Sequence, residues 1–310
     1  GQAWQIMQKL NEYCPRFACF TVVLMAWTGW TGVAYAAGKG DSVLLDRAVS
    51  AYHNGNYDLA IGEFSQLIQD GYREAYYGRA QAFFQRQDFN HAIADLNEVI
   101  RLDPSPGALE LRGRAYIAFA DYPHAAADFS RALKLQPRNA ELLVQRADAW
   151  FYAGKAARAY ADYNQAIQLD GSNALAYAHR GELDAAYKHD YRKGVLDCLK
   201  AIRLDPGCWL GYNNLAALLT VCPSARIRDG QLALLHAQHA CELTLWKNPL
   251  ALSVLAAAYA ENHDFADAIK WQQESMDQDL ALGPAASRLA LNGEKKLELY
   301  QNHQTFHAER

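Results

Sequence analysis

The sequence carries no excess of positive charge: 30 Lys and Arg stand against 34 Asp and Glu, giving a net charge of −4 and a pI near 6.2. A nucleic-acid footprint would show as a basic stripe, so that class of partner is excluded. The two signs are well mixed, and neither an acidic nor a basic tail is present. Signatures of catalysis are missing too. There is no glycine-rich phosphate loop, no His-Glu-x-x-His, no Cys-x-x-Cys and no Gly-x-Ser-x-Gly, so the chain is read as no enzyme. Among its ten histidines, His236 and His239 are spaced i,i+3 and His303 and His307 i,i+4. One pair is assigned to an outer helix face and the other to a polar tail. Neither a metal site nor a small-molecule cofactor is expected.

Cysteine is sparse, with six residues, and no Leu-x-x-Cys lipoprotein ending is present. Cys14 and Cys19 fall in or before an apolar leader. Cys198 reads as a small buried hydrophobe. Cys222 and Cys241 would sit roughly 16 Å apart, too far to bridge. A Cys208–Cys241 disulfide is geometrically possible in an oxidising compartment, with four free buried thiols the simpler expectation.

What the sequence has in abundance is itself, repeated. A small residue recurs at 48, 80, 113, 147, 181, 216 and 256, as Ala or Gly; the first six copies are spaced by 32 to 35 residues. A second small residue recurs at Ala60, Ala92, Ala125, Ala159, Gly194, Ala233 and Ala268. Two helices that approach closely need small side chains at the crossing, so a column of Ala and Gly has a packing cause. Tyr57, Phe89, Tyr122, Tyr191 and Phe265 follow a turn and are expected to fill the wedge between helices. Pro104, Pro137, Pro206 and Pro249 close units, since proline stops one helix and can open the next.

The clearest unit, Gly107 to Pro137, resembles the tetratricopeptide repeat, two antiparallel helices A and B in about 34 residues. The resemblance extends over about seven units, residues 41–280. It implies an all-α, right-handed solenoid of helix-turn-helix repeats, capped by a helix in residues 281–310, read over Pro284 to Gln301 with a frayed tail from Asn302. Three departures are noted. Gly171 replaces the closing proline of repeat four. Repeat five has one extra residue before His189-Asp190-Tyr191, and Gly194 in place of alanine. Repeat six has an insert from Val221 to Gly230, with Asp229 placed to cap its second helix.

Residues 1–37 differ. Phe17 to Ala37 is a run of 21 uncharged residues, preceded by Lys9 and Arg16 and ending Ala34-Tyr35-Ala36-Ala37. This is the pattern of a secretory signal peptide, and the run is also long enough for a membrane anchor through residues 17–37. Either reading puts the repeats outside the cytoplasm, periplasmic or on the extracytoplasmic face of a membrane. The chain opens on Gly1 without methionine: either Met7 is the start, or sequence precedes Gly1.

Two polar patterns remain. Arg79, Arg112, Arg146 and Arg180 hold one helix A position, and Asp95, Asp128, Asp162 and Asp197 one helix B position. They are read as structural ion pairs, because an arginine fork matches a carboxylate bidentately. The resemblance also implies that helix A lines a concave groove. The residues it places there are Tyr52, His53, Tyr77, Gln81, Phe84, Glu110, Arg114, Asp148, Phe151, Tyr152, Glu182 and Asn213. Aromatics mixed with single charges suit an extended peptide or an inserted helix. The relatives that clamp chaperone C-termini carry Lys, Asn and Arg where this chain has Leu45, Val49, Gly78, Gly107 and Leu111, so that activity is not expected.

The function implied is a non-catalytic interaction scaffold of the bacterial exported type, with a protein partner in the groove. Two alternatives stand beside it. The chain is the repeat region of a larger membrane protein, a kinase or glycosyltransferase, or its aromatics stack on cell-wall glycan.

Overall fold

A computed structural model describes residues 39–281 and 287–307. The leader read in residues 1–37 lies outside the described residues. The chain divides into two compact units, residues 1–102 and 103–310. Among the described residues there are fifteen helices and no strand.

The first unit holds α1 (Lys39–His53), α2 (Tyr57–Gln69), α3 (Ala75–Gln85) and α4 (Phe89–Leu102). The second holds α5 (Pro106–Ala118), α6 (Tyr122–Leu135), α7 (Ala140–Tyr152), α8 (Ala156–Leu169), α9 (Ala174–Ala186) and α10 (Tyr191–Leu204). It continues through α11 (Trp209–Val221), α12 (Gly230–Leu243), α13 (Pro249–Glu261), α14 (Phe265–Ala281) and α15 (Ser287–Gln301). Within each unit every helix packs on its sequence neighbour. In the second unit the helices A of successive repeats also touch, α9 with α11 and α11 with α13.

The small-residue columns lie where the helices cross. Ala48, Ala80, Ala147, Ala216 and Ala256 have no exposed surface, nor do Ala60, Ala92, Ala125, Ala159, Ala233 and Ala268. Larger apolar groups fill the space around them. Phe64 in the first unit, and Phe129 and Tyr163 in the second, are fully buried, each burial being favourable by about 1.5–3 kcal/mol. Gly194, the departure in repeat five, has a direct cause: a Cβ there would lie 2.6 Å from the carbonyl oxygen of Gly181. One on Gly181 would lie 2.8 Å from that of Gly194. Helices α9 and α10 meet backbone to backbone.

One turn recurs between helices A and B. Gly55, Gln87, Ala120, Gly154, His189 and His263 all adopt positive φ, between 55° and 74°. A left-handed residue at this point stops helix A and turns the chain back. At five of these six turns the next residue caps helix B through its side chain, as Asn56 accepts from Leu59 N–H at 3.2 Å, Asp121 from His124 N–H at 3.4 Å, and Asp190 from Lys193 N–H at 3.0 Å; Lys155, after Gly154, makes no such bond. The extra residue of repeat five is taken up before this turn, leaving the cap intact. Asp229 caps α12 as its spacing predicts, accepting from Leu232 N–H at 3.0 Å.

The insert of repeat six is held by Arg228. Its Nε donates to Glu261 Oε1 at 3.0 Å, and its Nη1 to the carbonyls of Cys222 and Pro223 at 2.9 and 3.3 Å. The tail after α15 corrects the expectation of fraying from Asn302. His307 Nε2 lies 2.7 Å from Glu261 Oε2, and Phe306 packs beside the fully buried Tyr300. An aromatic and an ion-pairing histidine in the last described residues anchor what reads as a polar stretch. Cys198, Cys208, Cys222 and Cys241 are buried free thiols.

Candidate functional site

The arginine column makes the expected pairs. Arg79 Nε and Nη2 reach the two oxygens of Asp95, both at 2.8 Å. Arg112 reaches Asp128 at 2.7 and 2.6 Å, Arg146 reaches Asp162 at 2.7 Å twice, and Arg180 reaches Asp197 at 2.7 and 2.9 Å. The third nitrogen ties in the preceding helix B: Arg79 to Ser65 at 3.0 Å, Arg146 to Ser130 at 3.2 Å, and Arg180 to Asn164 at 2.9 Å. Each of these arginines binds three helices together. Arg47 and Glu63 form a fifth pair, at 2.5 Å, in the same register. The column search missed it because Glu replaces Asp. In the four bidentate rungs both charges are partly buried and matched, so those rungs are structural; the fifth is looser, with the Arg47 side chain 64% exposed and Glu63 Oε2 buried without a partner.

A second polar set lies on helix A of repeats three to six in the second unit, and it is not matched. Gln145 Nε2 donates to Glu110 Oε1 at 2.9 Å. Asp148 Oδ1 accepts from the Tyr163 hydroxyl at 2.5 Å and lies 3.5 Å from His179 Nε2. The His179 ring stacks on Tyr163, with centroids 5.4 Å apart and planes 5° from parallel. One repeat further, Asn213 Nδ2 donates to Asn214 Oδ1 at 3.2 Å. Asn214 Nδ2 donates to the Ala178 carbonyl at 3.2 Å and contacts Glu182 Oε2 at 3.4 Å.

The side chain of Asp148 keeps 29% of its surface exposed, and Glu182 is half-buried. Even so, loss of solvent raises both carboxyls above their ordinary range, against the opposing pull of His179. The two negative groups also act on each other. Tyr152 beside them is pushed up to about 12, first by desolvation and then by the charges of Asp148 and Glu182. The set is a partly exposed, poorly solvated polar patch on helix A.

The residues named from the sequence fall into both units. In the first, Tyr52 meets Tyr57 at 5.8 Å and the neighbouring His53 at 5.6 Å, and Phe84 meets Phe89 at 5.3 Å. Tyr77 and Gln81 are half-buried on α3. In the second, Glu110, Asp148, Glu182 and Asn213 join the polar set. Arg114 is exposed on α5. Phe151 packs edge-on against Tyr152, and the ring of Tyr122 stacks on Tyr152 at 5.4 Å. Asn213 is a correction: with 2% exposure it is buried within the fold and offers no contact surface. The sequence reading missed Gln145, His179 and Asn214, which share the next helix position in three successive repeats, and Tyr163, which reaches in from helix B. A polar column at that position was the available signal. Among the described residues no three metal-binding side chains converge.

Comparison with known proteins agrees with this architecture. The family model described as "Tetratricopeptide repeat" matches residues 45–106 and 111–174. The Small glutamine-rich tetratricopeptide repeat-containing protein of Dictyostelium discoideum is 33% identical over 76 residues, 24% of this chain and 22% of that protein. The match thus spans about a fifth of the relative's length. A tetratricopeptide repeat protein from Parabacteroides merdae superposes with a TM-score of 0.65 at 12% identity, over 86% of this chain and all of the other. MamA from Desulfovibrio magneticus RS-1, residue 41 to its end, gives 0.52 at 16% identity, over 56% and 99%. At such identities the likeness is one of fold.

Proposed function

Because this chain is a tetratricopeptide repeat protein, we propose that it works as a non-catalytic scaffold outside the cytoplasm, holding a partner polypeptide on the helix A face of its second unit. The observation that carries the reading is the polar patch on α5, α7, α9 and α11. Its carboxylates are held at the edge of solvent with little neutralisation, while the paired charges of the same repeats are spent on tying helices together. An extended segment or helix laid across helix A would meet Glu110, Asp148 and Glu182 in succession, with Tyr152 beside them.

The extracytoplasmic address rests on the uncharged run Phe17 to Ala37 and its basic flank. Among the described residues no helix is long and apolar enough to cross a membrane. Alkaline phosphatase joined after residue 41 tests the address. Activity in intact cells supports it, and an inactive fusion present at normal level refutes it.

Crosslinking and pull-down of the full chain from native membranes test the scaffold role. A captured protein whose recovery falls several-fold with Tyr152→Ala is the expected result; equal recovery with the variant removes the groove from the account. A second reading, binding of wall glycan, draws on the stacked Tyr122 and the 43% exposed Tyr152, an aromatic face suited to a sugar ring. Retention of the protein on purified wall material, lost with Tyr152→Ala, would favour it.

A further inference from the structure

The ladder shows what a helix A needs in front of it. Arg79, Arg146 and Arg180 each send a third nitrogen to the preceding helix B, where Ser65, Ser130 or Asn164 accepts it. Four residues before and three after these arginines, on the same helix face, stand Ala75 and Ala82, Leu142 and Ala149, and Ala176 and Leu183. All six are at most 3% exposed. Helix α1 presents the same face with no preceding helix B among the described residues. Val43 and Ser50, the equivalent positions around Arg47, are exposed, Val43 by 59%. The surface here forms a hollow of about 420 Å³ whose lining includes Val43, Arg47, Ser50, Leu59 and Glu63. The Arg47 side chain stands 64% exposed, against 14–22% for the arginines of the bidentate rungs. It reaches one oxygen of Glu63, and Glu63 Oε2 stays buried without a donor. A missing third contact explains the loose rung. Where Ser or Asn holds the outer nitrogen, the fork lies across both carboxylate oxygens.

We propose that this open end of the first unit is a seat for an amphipathic helix of a partner polypeptide, which takes the place of a preceding helix B. Continuity with the interfaces between later repeats fixes the chemistry of the occupant. It lays small apolar side chains on Val43 and Leu59, exposed by 59% and 46%, and offers a Ser or Asn oxygen to Arg47. With its outer nitrogen held, the guanidinium turns onto both oxygens of Glu63, and the orphan acceptor gains its donor. A plain end cap accounts for less. Terminal repeats stay soluble through a polar outer face, and Asp46 and Ser50 supply that where α3 has Gly78 and Ala82. A cap gives no reason for two exposed apolar side chains beside a buried, unpaired carboxylate oxygen. The polar residues instead let the seat stand empty in water, so that docking is reversible.

The seat belongs to the first unit and does not depend on the groove reading given above. The probe is a fluorescent peptide with the sequence of α6, Tyr122–Leu135, whose Ser130 meets Arg146 in the fold. It is stapled across its solvent face, because an isolated helix of this length is marginal in water. Fluorescence anisotropy with the full chain should show saturable binding. Val43→Asp should weaken it at least about tenfold, since a charge then lies in the apolar contact. Arg47→Ala in the chain, or Ser130→Ala in the peptide, should each cost about fivefold, and the two together no more than either alone. Val43 and Arg47 are exposed, and circular dichroism checks that both variants fold. Absence of saturable binding refutes the proposal, whether the end is a solvated cap or is covered by the chain's own N-terminal residues. Binding that both chain variants leave unchanged places the peptide elsewhere and refutes it too. Additive losses from Arg47→Ala and Ser130→Ala overturn the hydrogen bond on which the seat's chemistry rests. A dimer in sedimentation that Val43→Asp dissolves gives the seat to a second copy instead, and also overturns the proposal.

Discussion

Asp128, Asp162 and Asp197 each meet an arginine fork at 2.6–2.9 Å, while Asp148 and Glu182, on the facing helices of the same unit, meet a tyrosine hydroxyl, a histidine edge and an amide. Both sets lose solvent. In the first, the loss is offset within the fold, because each carboxylate receives two charge-assisted hydrogen bonds. In the second it is not, and the carboxyls shift upward. Identical chemistry therefore meets two environments: the fully matched carboxylates fix the register of the helices, and Asp148 and Glu182 keep only partial compensation from a tyrosine, a histidine and an amide. Sites built for a ligand commonly carry a stability cost that stabilising substitutions reveal.

The largest effect should come from breaking a rung. Arg146→Ala leaves Asp162 buried without its counter-charge and removes the link to Ser130, and a loss of about 3–5 kcal/mol is expected in urea unfolding. A variant that kept its stability but lost partner binding would reverse the assignment and make the ladder the site.

Lys296 supplies a second uncompensated charge. It sits on α15 with its ammonium donating to Ser253 Oγ at 2.9 Å, and burial lowers its pKa to about 8. Between that value and the unfolded one near 10.4, the unfolded chain binds the extra proton, so stability contributed by this group rises with pH across the window. Unfolding followed from pH 7 to 10 should show wild type gaining about 2 kcal/mol relative to Lys296→Met. A constant difference between the two would mean that the ammonium is solvated.

The smallest effect concerns the shared turn. Ala120 holds φ of 55° where Gly154 holds 71° at the same place in the next repeat. Ala120→Gly should be neutral to about 1 kcal/mol stabilising, and Gly154→Ala about 1 kcal/mol destabilising. Equal and opposite results would confirm one turn geometry; two losses would mean that Ala120 contributes packing that its conformation conceals.

Much of the fold is legible in the sequence because it repeats. One small residue per helix, at intervals of 32 to 35 residues over the first six units, reports a crossing that no single copy could establish, and one Arg column beside one Asp column, four members each, reports its own pairing. Arg47 and Glu63 escaped because one methylene more breaks the column while preserving the contact. The close approach of α9 and α10 appears in sequence only as two glycines, Gly181 and Gly194, whose relation is spatial. The polar patch was half visible. Glu110, Asp148 and Glu182 are groove positions by analogy with the family, whereas His179 and Tyr163 matter through contacts between different repeats. Asn213 shows the converse: a groove position in sequence that is a buried wall in space. The tail was misread because Phe306 and His307 lie among polar residues, and only their partners, Tyr300 and Glu261, explain their order.

The contrast between offset and uncompensated carboxylates is tested most directly by the unfolding free energy of Glu182→Gln at pH 7. Raised carboxyl pKa values mean that the folded state binds protons more readily than the unfolded state, so ionised Glu182 opposes folding as pH rises through its folded pKa. Removing its charge should therefore stabilise the free protein by about 1 kcal/mol, with the gain fading toward pH 4. A loss of stability at pH 7 comparable to that of Arg146→Ala would show that Glu182 is already compensated within the fold, and would contradict the account.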